Sequence, residues 1–203
     1  MNIRTFYAAV MALLAALFIT PGPAGAGEDL GCTKATLTED GLHMQPWFIQ
    51  DSFLDLKDEL QRAREQGKRF VVIMEVEGCP YCAMMHAKYL TNPKVCAYLR
   101  KHFAILQMNK KGAREVTDFD GSTLPENKWL KKYKAFFTPN IMIFDDDVDN
   151  IAKKPPLKRI VARMDGPGQG ADFFLALFQY AYDKGYERGS FINYLMQKAK
   201  KGG

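Results

Sequence analysis

Residues 69–82 read Arg-Phe-Val-Val-Ile-Met-Glu-Val-Glu-Gly-Cys-Pro-Tyr-Cys, and this stretch decides the fold. The run from Arg69 to Val76 is rich in β-branched and large apolar residues, the composition of a strand buried on both faces. Pro80 suits the first turn of a helix, where its missing N–H costs nothing, and residues 80–90 then read as helical. Cys79 and Cys82 therefore sit where a buried strand hands over to a helix. A helix start surrounds Cys79 with unsatisfied backbone N–H groups and the positive end of the helix dipole, which favour a thiolate over a thiol. Cys82, one turn on, is spaced to attack a mixed disulfide formed at Cys79. The pair reads as a redox dithiol in which Cys79 is the nucleophile and Cys82 resolves. A c-type haem site would need His directly after the second cysteine, and Ala83 stands there. A closed metal site on Cys79, Cys82 and His86 would lack a fourth ligand, so no metal is expected. A purely structural bridge is the remaining alternative for the pair. His86 reads as a helix-surface or packing residue.

Outward from this stretch the pattern alternates between helix and strand. Upstream, Ser52 reads as an N-cap with Asp55 three residues on, and Phe53, Leu54, Leu56, Leu60 and Ala63 recur at helical spacing until Gly67. Downstream, Pro93 opens a helix carrying Val95, Cys96, Leu99 and Phe103 on one side, and residues 103–108 form a second buried strand. Residues 112–125 are polar and turn-rich and read as a loop. Trp129, Leu130, Tyr133 and Phe136 fit a short helix. Strands are expected at 140–144 and 158–164, separated by an acidic, proline-bearing turn. Gly166, Gly168 and Gly170 mark a loop before a helical region with Phe173, Phe174, Leu177, Phe178 and Tyr180. That region resumes with Phe191, Tyr194 and Leu195 after a break at 185–189. Residues 27–50 form an N-terminal extension with a short strand expected at 35–38 or around Trp47-Phe48. The order predicts one mixed α/β domain over 51–203, with a central four-to-five-stranded sheet flanked by helices. Its first strand pair should be parallel and its last antiparallel.

The address lies at the other end of the chain. Arg4, the apolar run from Ala8 to Ile19, and Ala24-Gly25-Ala26 together read as a signal peptide over 1–26, cleaved near Ala26. The apolar run is too short to span a membrane comfortably, which takes about 20 residues. A soluble protein, periplasmic or otherwise exported, is expected, in a compartment where disulfides persist. The chain has 203 residues and a formal net charge of +5, and cleavage removes one basic and no acidic residue, leaving +4. That mild charge is scattered, so no nucleic-acid partner is expected. Lys131, Lys132 and Lys134 read as solvated helix positions. Asp145-Asp146-Asp147 and Asp149 do not follow the calcium-loop spacing and read as a charged turn.

The strand before Gly78-Cys79-Pro80-Tyr81-Cys82, the helix after it, and Phe137-Thr138-Pro139 before residues 140–144 resemble the thioredoxin superfamily, over roughly 52–182. Within it, EGCPYCAMMH followed by TNPKVCAYLRKHF looks most like exported thioredoxins of the SoxW type. The resemblance implies a thioredoxin-like fold and a protein-disulfide reductase with no cofactor beyond a redox-active Cys79–Cys82 disulfide. It implies that Pro139 is a cis-proline facing the dithiol, that Thr138 offers its backbone to an extended substrate chain, and that Pro80 and Tyr81 also meet substrate. It implies exported protein disulfides or thiol-bound sulfur adducts as substrates, and a membrane thiol donor of the CcdA or DsbD type; a monomer is expected. An oxidant or isomerase of the DsbA or DsbC kind, and a non-catalytic chaperone or binding module, are the alternatives. The sequence departs from thioredoxins proper in having Gly78 and a Pro-Tyr dipeptide. The position of their buried aspartate is Ile73 here. Strand alternation puts Ile73, Glu75 and Glu77 on one face, and Glu75, if buried, becomes the candidate acceptor for the Cys82 proton. Cys32 and Cys96 remain. They either close a structural bridge from the extension to the helix after the dithiol, or stay as a free Cys32 and a buried Cys96.

Overall fold

A computed structural model describes residues 31–201, so the expected signal peptide lies outside the described residues. In chain order the elements are β1 (Thr36–Leu37), β2 (His43–Met44), α1 (Leu56–Glu65), β3 (Arg69–Glu75), α2 (Pro80–Met84), α3 (Pro93–His102), β4 (Phe103–Asn109), β5 (Glu115–Thr117) and β6 (Thr123–Pro125). They continue with α4 (Glu126–Lys132), β7 (Asn140–Phe144), β8 (Ile160–Asp165), α5 (Ala171–Tyr182) and α6 (Phe191–Lys201). The central sheet has the order β4-β3-β7-β8. β3 and β4 are parallel in the register Val71↔Ile105, and β7 runs antiparallel to both β3 and β8. The strand directions agree with those expected from the sequence. The fold is thus an α/β sheet of four strands flanked by helices.

Every residue of β3 is buried, because both faces of the strand are covered. Val71 and Ile73 face one layer with Leu99 of α3 and Phe174, Leu177 and Phe178 of α5. Phe70, Val72 and Met74 face the other, with Leu56 and Leu60 of α1 and Trp129 of α4. The alternation that splits these residues between two cores also sends Glu75 to the α3–α5 side. Each buried aromatic or aliphatic side chain in these layers stabilises the fold by roughly 1.5–3 kcal/mol relative to exposure.

Four local expectations are corrected. Helix α1 starts at Leu56, because Asp55, not Ser52, accepts the N–H groups of Lys57 and Asp58 at 3.1 and 3.2 Å. Ser52 Oγ instead accepts from Leu54 N–H, turning the chain and leaving Phe53 92% exposed. Within the expected loop at 112–125, β5 and β6 pair as a hairpin, whose Thr117 N–H reaches Leu54 O at 2.9 Å. The fourth sheet strand begins at Ile160, since Pro156 starts a 3-10 turn over Pro156–Lys158. Lys132 is not a freely solvated lysine: its ammonium pairs with both Asp118 and Asp120.

Candidate active site

At the end of β3 the chain turns through Gly78 at φ +70, and Cys79 takes the N-cap position of α2. A Cβ at Gly78 would meet nothing within 4 Å, so the backbone conformation rather than crowding selects glycine there. Pro80 occupies the first helical turn. Cys79 and Cys82 form a disulfide with their Cα atoms 5.3 Å apart, and Cys79 Sγ accepts the Cys82 N–H at 3.1 Å. That same N–H would stabilise a thiolate on Cys79 in the reduced protein. Both residues are buried, Cys79 at 8% exposure and Cys82 at 1%. Tyr81, between them, is 57% exposed.

The Thr138–Pro139 peptide is cis, and Pro139 is buried. Asn140, the next residue, pairs with Met74, so Thr138 and Pro139 lie at the same end of the sheet as Glu75 and the dithiol turn. The segment leading to them is tied from below. Lys110 Nζ donates to Phe136 O at 2.6 Å, and Arg163 donates to Tyr133 O and Lys134 O at 2.8 and 2.7 Å. Phe136 and Phe137 are exposed at this end along with Tyr81.

Behind the disulfide lies a buried polar cluster. Helix α2 runs into a π-helical turn, Met85–Tyr89, where Leu90 N–H reaches back to Met85 O at 3.0 Å. His86 in this turn is buried, and its Nε2 meets Glu75 Oε1 at 2.7 Å. Gln107 of β4 donates from Nε2 to the same carboxylate oxygen at 3.0 Å and to His43 O at 2.6 Å. Gln45 Nε2 faces His86 Nδ1 at 3.4 Å. His86 Nε2 thus faces the Glu75 carboxylate and Nδ1 faces the Gln45 amide, so the ring bridges β3 to the segment before α1. His86 was expected as an ordinary surface or packing residue; it is instead the partner of Glu75. The spacing of Cys82 and His86, four residues on one helix, was the sequence signal for it.

Residues 56–155 match the family model described as Thioredoxin-like domain. The fold is thioredoxin-like. Among solved structures, a thioredoxin-fold protein from Helicobacter pylori is similar at 17% identity and a TM-score of 0.50, over 66% of this chain and 81% of that one. A structure described as DsbH oxidoreductase is similar at 13% identity and a TM-score of 0.42, over 72% of this chain and 94% of that one. Comparison with curated proteins gives no match.

The matched stretch holds Glu75, Cys79, Cys82, His86, Thr138 and Pro139, while His43 and Gln45 lie before it. They belong to a strap, residues 31–51, laid across the thioredoxin-like domain. Its start is fastened by a disulfide between Cys32 and Cys96 of α3, with Cα atoms 5.8 Å apart and a separation of 64 positions in the sequence. Further along, Asn109 donates to Asp40 at 3.3 Å, Phe48 enters the core, and Ile49 N–H donates to Ile105 O at 2.8 Å.

A second charged cluster sits at the opposite end of the sheet. Arg159, beside Ile160 and hence level with Phe144, donates to Asp118 at 3.0 Å, Asp120 at 2.9 Å and Tyr133 Oη at 2.9 Å. Burial alone would raise the Asp120 carboxyl, but hydrogen bonds from Ser122 and Arg159 outweigh it and hold that group well below the usual range. Burial, with Asp118 alongside, pushes the Tyr133 phenol up. These groups satisfy one another and brace the β5–β6 hairpin, α4 and the start of β8.

Proposed function

We propose that the protein is an exported thiol–disulfide oxidoreductase working as a protein-disulfide reductase. The observation that carries the reading is the dithiol at the strand-to-helix turn, with Cys79 less deeply covered than Cys82, at the same sheet end as Thr138 and Pro139. In the reduced protein Cys79 thiolate attacks one sulfur of a substrate disulfide, and the other substrate sulfur leaves as a thiolate that takes a proton from water. Cys82 then gives its proton to Glu75 and attacks Cys79 Sγ. The Cys79–Cys82 bond forms, the mixed disulfide breaks, and the second substrate sulfur departs as a thiolate. The substrate has gained two electrons and the dithiol has lost two. No cofactor beyond this disulfide enters the scheme.

Substrates in this reading are disulfides or thiol-bound sulfur adducts of exported proteins, of the kind SoxW-type thioredoxins serve. The edge of Tyr81, Pro80, Thr138 and Pro139 receives the substrate chain. Electrons return through a membrane thiol carrier of the CcdA or DsbD type, and the protein works as a monomer. Insulin reduction by the mature protein tests the assignment: Cys79→Ser should lower turnover to background. Undiminished turnover in that variant would make the dithiol incidental and favour a binding module. The reduction potential sets the direction. A value near −270 mV, roughly that of thioredoxin, fits a reductant, and one near −120 mV, roughly that of DsbA, would make the protein an oxidant.

A further inference from the structure

The polar cluster behind the disulfide has a hydrogen-bond imbalance. In Gln45, Glu75, His86 and Gln107, three buried oxygens have no partner: Gln45 Oε1, Glu75 Oε2 and Gln107 Oε1. No nitrogen of the four is left unpaired. Buried polar groups are nearly always satisfied, and each orphan costs free energy. A cluster with surplus acceptors and no surplus donor is improved by gaining a proton. The disulfide form is the state in which this surplus is seen.

The geometry points to His86 as the positioning residue on which the Cys82 proton comes to rest, through Glu75, with the strap's Gln45 as its holder. This rests on the reductase scheme above and extends it. Glu75 Oε2 is the open acceptor on the carboxylate, and Oε1 is already bound to His86 Nε2. A proton added to this couple makes an imidazolium–carboxylate pair, with a new N–H at Nδ1. Turning the Gln45 amide over brings its Oε1 against that N–H, so the 3.4 Å contact becomes a charge-assisted hydrogen bond and the protonated ring keeps a partner at Nδ1. The only bond changes are S–H of Cys82 to N–H of His86. The redox step that follows is the Cys82 attack on Cys79 already written.

Few other charges bear on the couple. His43 of β2 lies with its ring centroid 5.6 Å from that of His86, and Cys82 is one helical turn before it. Among the described residues no other charged group lies within ion-pair distance of Glu75 or His86. The ammonium of Lys110, whose backbone N–H binds Glu75 O, is committed to Phe136 O. Glu77 is exposed on the turn beyond. A cleft of about 350 Å³ between the strap and β4 is lined by Asp40, Glu39 and Gln107, the last of which donates to Glu75.

A chromogenic aromatic disulfide reads the two half-steps separately by stopped flow. The first release of coloured thiol reports Cys79 attack, and the second reports Cys82 resolution. In His86→Gln the side-chain amide can still donate toward Glu75 but cannot hold a proton. Its second phase should be slower by roughly 10²-fold at pH 6–7, the scale of positioned acid–base groups. The first phase should be unchanged. The defect should shrink as pH rises toward 9, where hydroxide can take the proton in place of the buried acceptor. Gln45→Ala should show the same pH-dependent defect in smaller form. A second phase in His86→Gln that matches the parent, or is slowed equally at every pH, overturns the inference. If Glu75→Gln still slows that phase, the reductase scheme stands with Glu75 as sole acceptor. If neither release depends on Cys79, the scheme itself falls.

Discussion

The Cys79–Cys82 disulfide joins residues three apart at the mouth of a helix, next to an exposed tyrosine, whereas Cys32–Cys96 joins residues 64 apart and fastens a strap to a helix whose Cys96 is fully buried. The same bond therefore carries two different thermodynamic weights. A cross-link restricts the unfolded chain more as its loop grows, by about 4 kcal/mol for a loop of this longer size and about 2 kcal/mol for the short one on the loop-closure model. Access runs the other way, since a thiolate must reach a sulfur to exchange it. In the proposed function the short bridge opens and closes while the long one stays shut.

The largest expected effect that would break this contrast is on stability. Replacing Cys32 and Cys96 together by Ser should lower the unfolding free energy by about 4 kcal/mol, read from denaturant midpoints with the dithiol oxidised. Insulin reduction at 25 °C should survive within a few-fold. A variant that kept its stability but lost its turnover would reverse the roles given to the two bridges. A smaller effect sharpens the working side: Tyr81→Ala should raise KM for a protein disulfide about 5-fold, near 1 kcal/mol, with little change for a small dithiol-reducible probe. Equal effects on both would remove Tyr81 from the substrate edge. The smallest effect concerns the far end of the sheet. Because Asp120 is held below its unfolded value of about 3.9, it adds stability above pH 4 that is lost progressively as pH falls below it. Asp120→Asn should therefore flatten the acid limb of the thermal midpoint below pH 4 while leaving dithiol turnover alone. An acid limb as steep as the parent's would assign that sensitivity elsewhere.

How much of this was legible in the sequence depended on the length over which a pattern could repeat. Residues 69–76 and 140–144 carry enough consecutive β-branched and apolar residues to mark strands buried on both faces, and the sheet follows from them. Hairpins of two or three residues per strand, such as β1–β2 and β5–β6, have no period to detect and hide in polar, turn-like sequence. Helix α1 was displaced because Ser52 and Asp55 have similar capping chemistry, and only Leu54, at φ +57, shows which one the backbone uses. The dithiol and the Thr138–Pro139 pair were readable because their chemistry is local. The Glu75–His86–Gln45 cluster was only half readable. Alternation placed Glu75 on the correct face, but its partners arrive from a π-helical turn and from a strap 30 residues upstream.

That strap has a consequence for handling the protein as a material. β4 lies at one edge of the central sheet, and an uncovered edge strand is a template on which another chain can add. The Ile49 N–H bound to Ile105 O spends one of that edge's acceptors, and Phe48 and the Cys32–Cys96 tether hold the cover in place. Trimming the chain to the stretch that matches the thioredoxin-like family would keep both active-site sulfurs and bare this edge. The shortened protein should associate through its β4 side more readily than the full chain, which light scattering of the two forms would show.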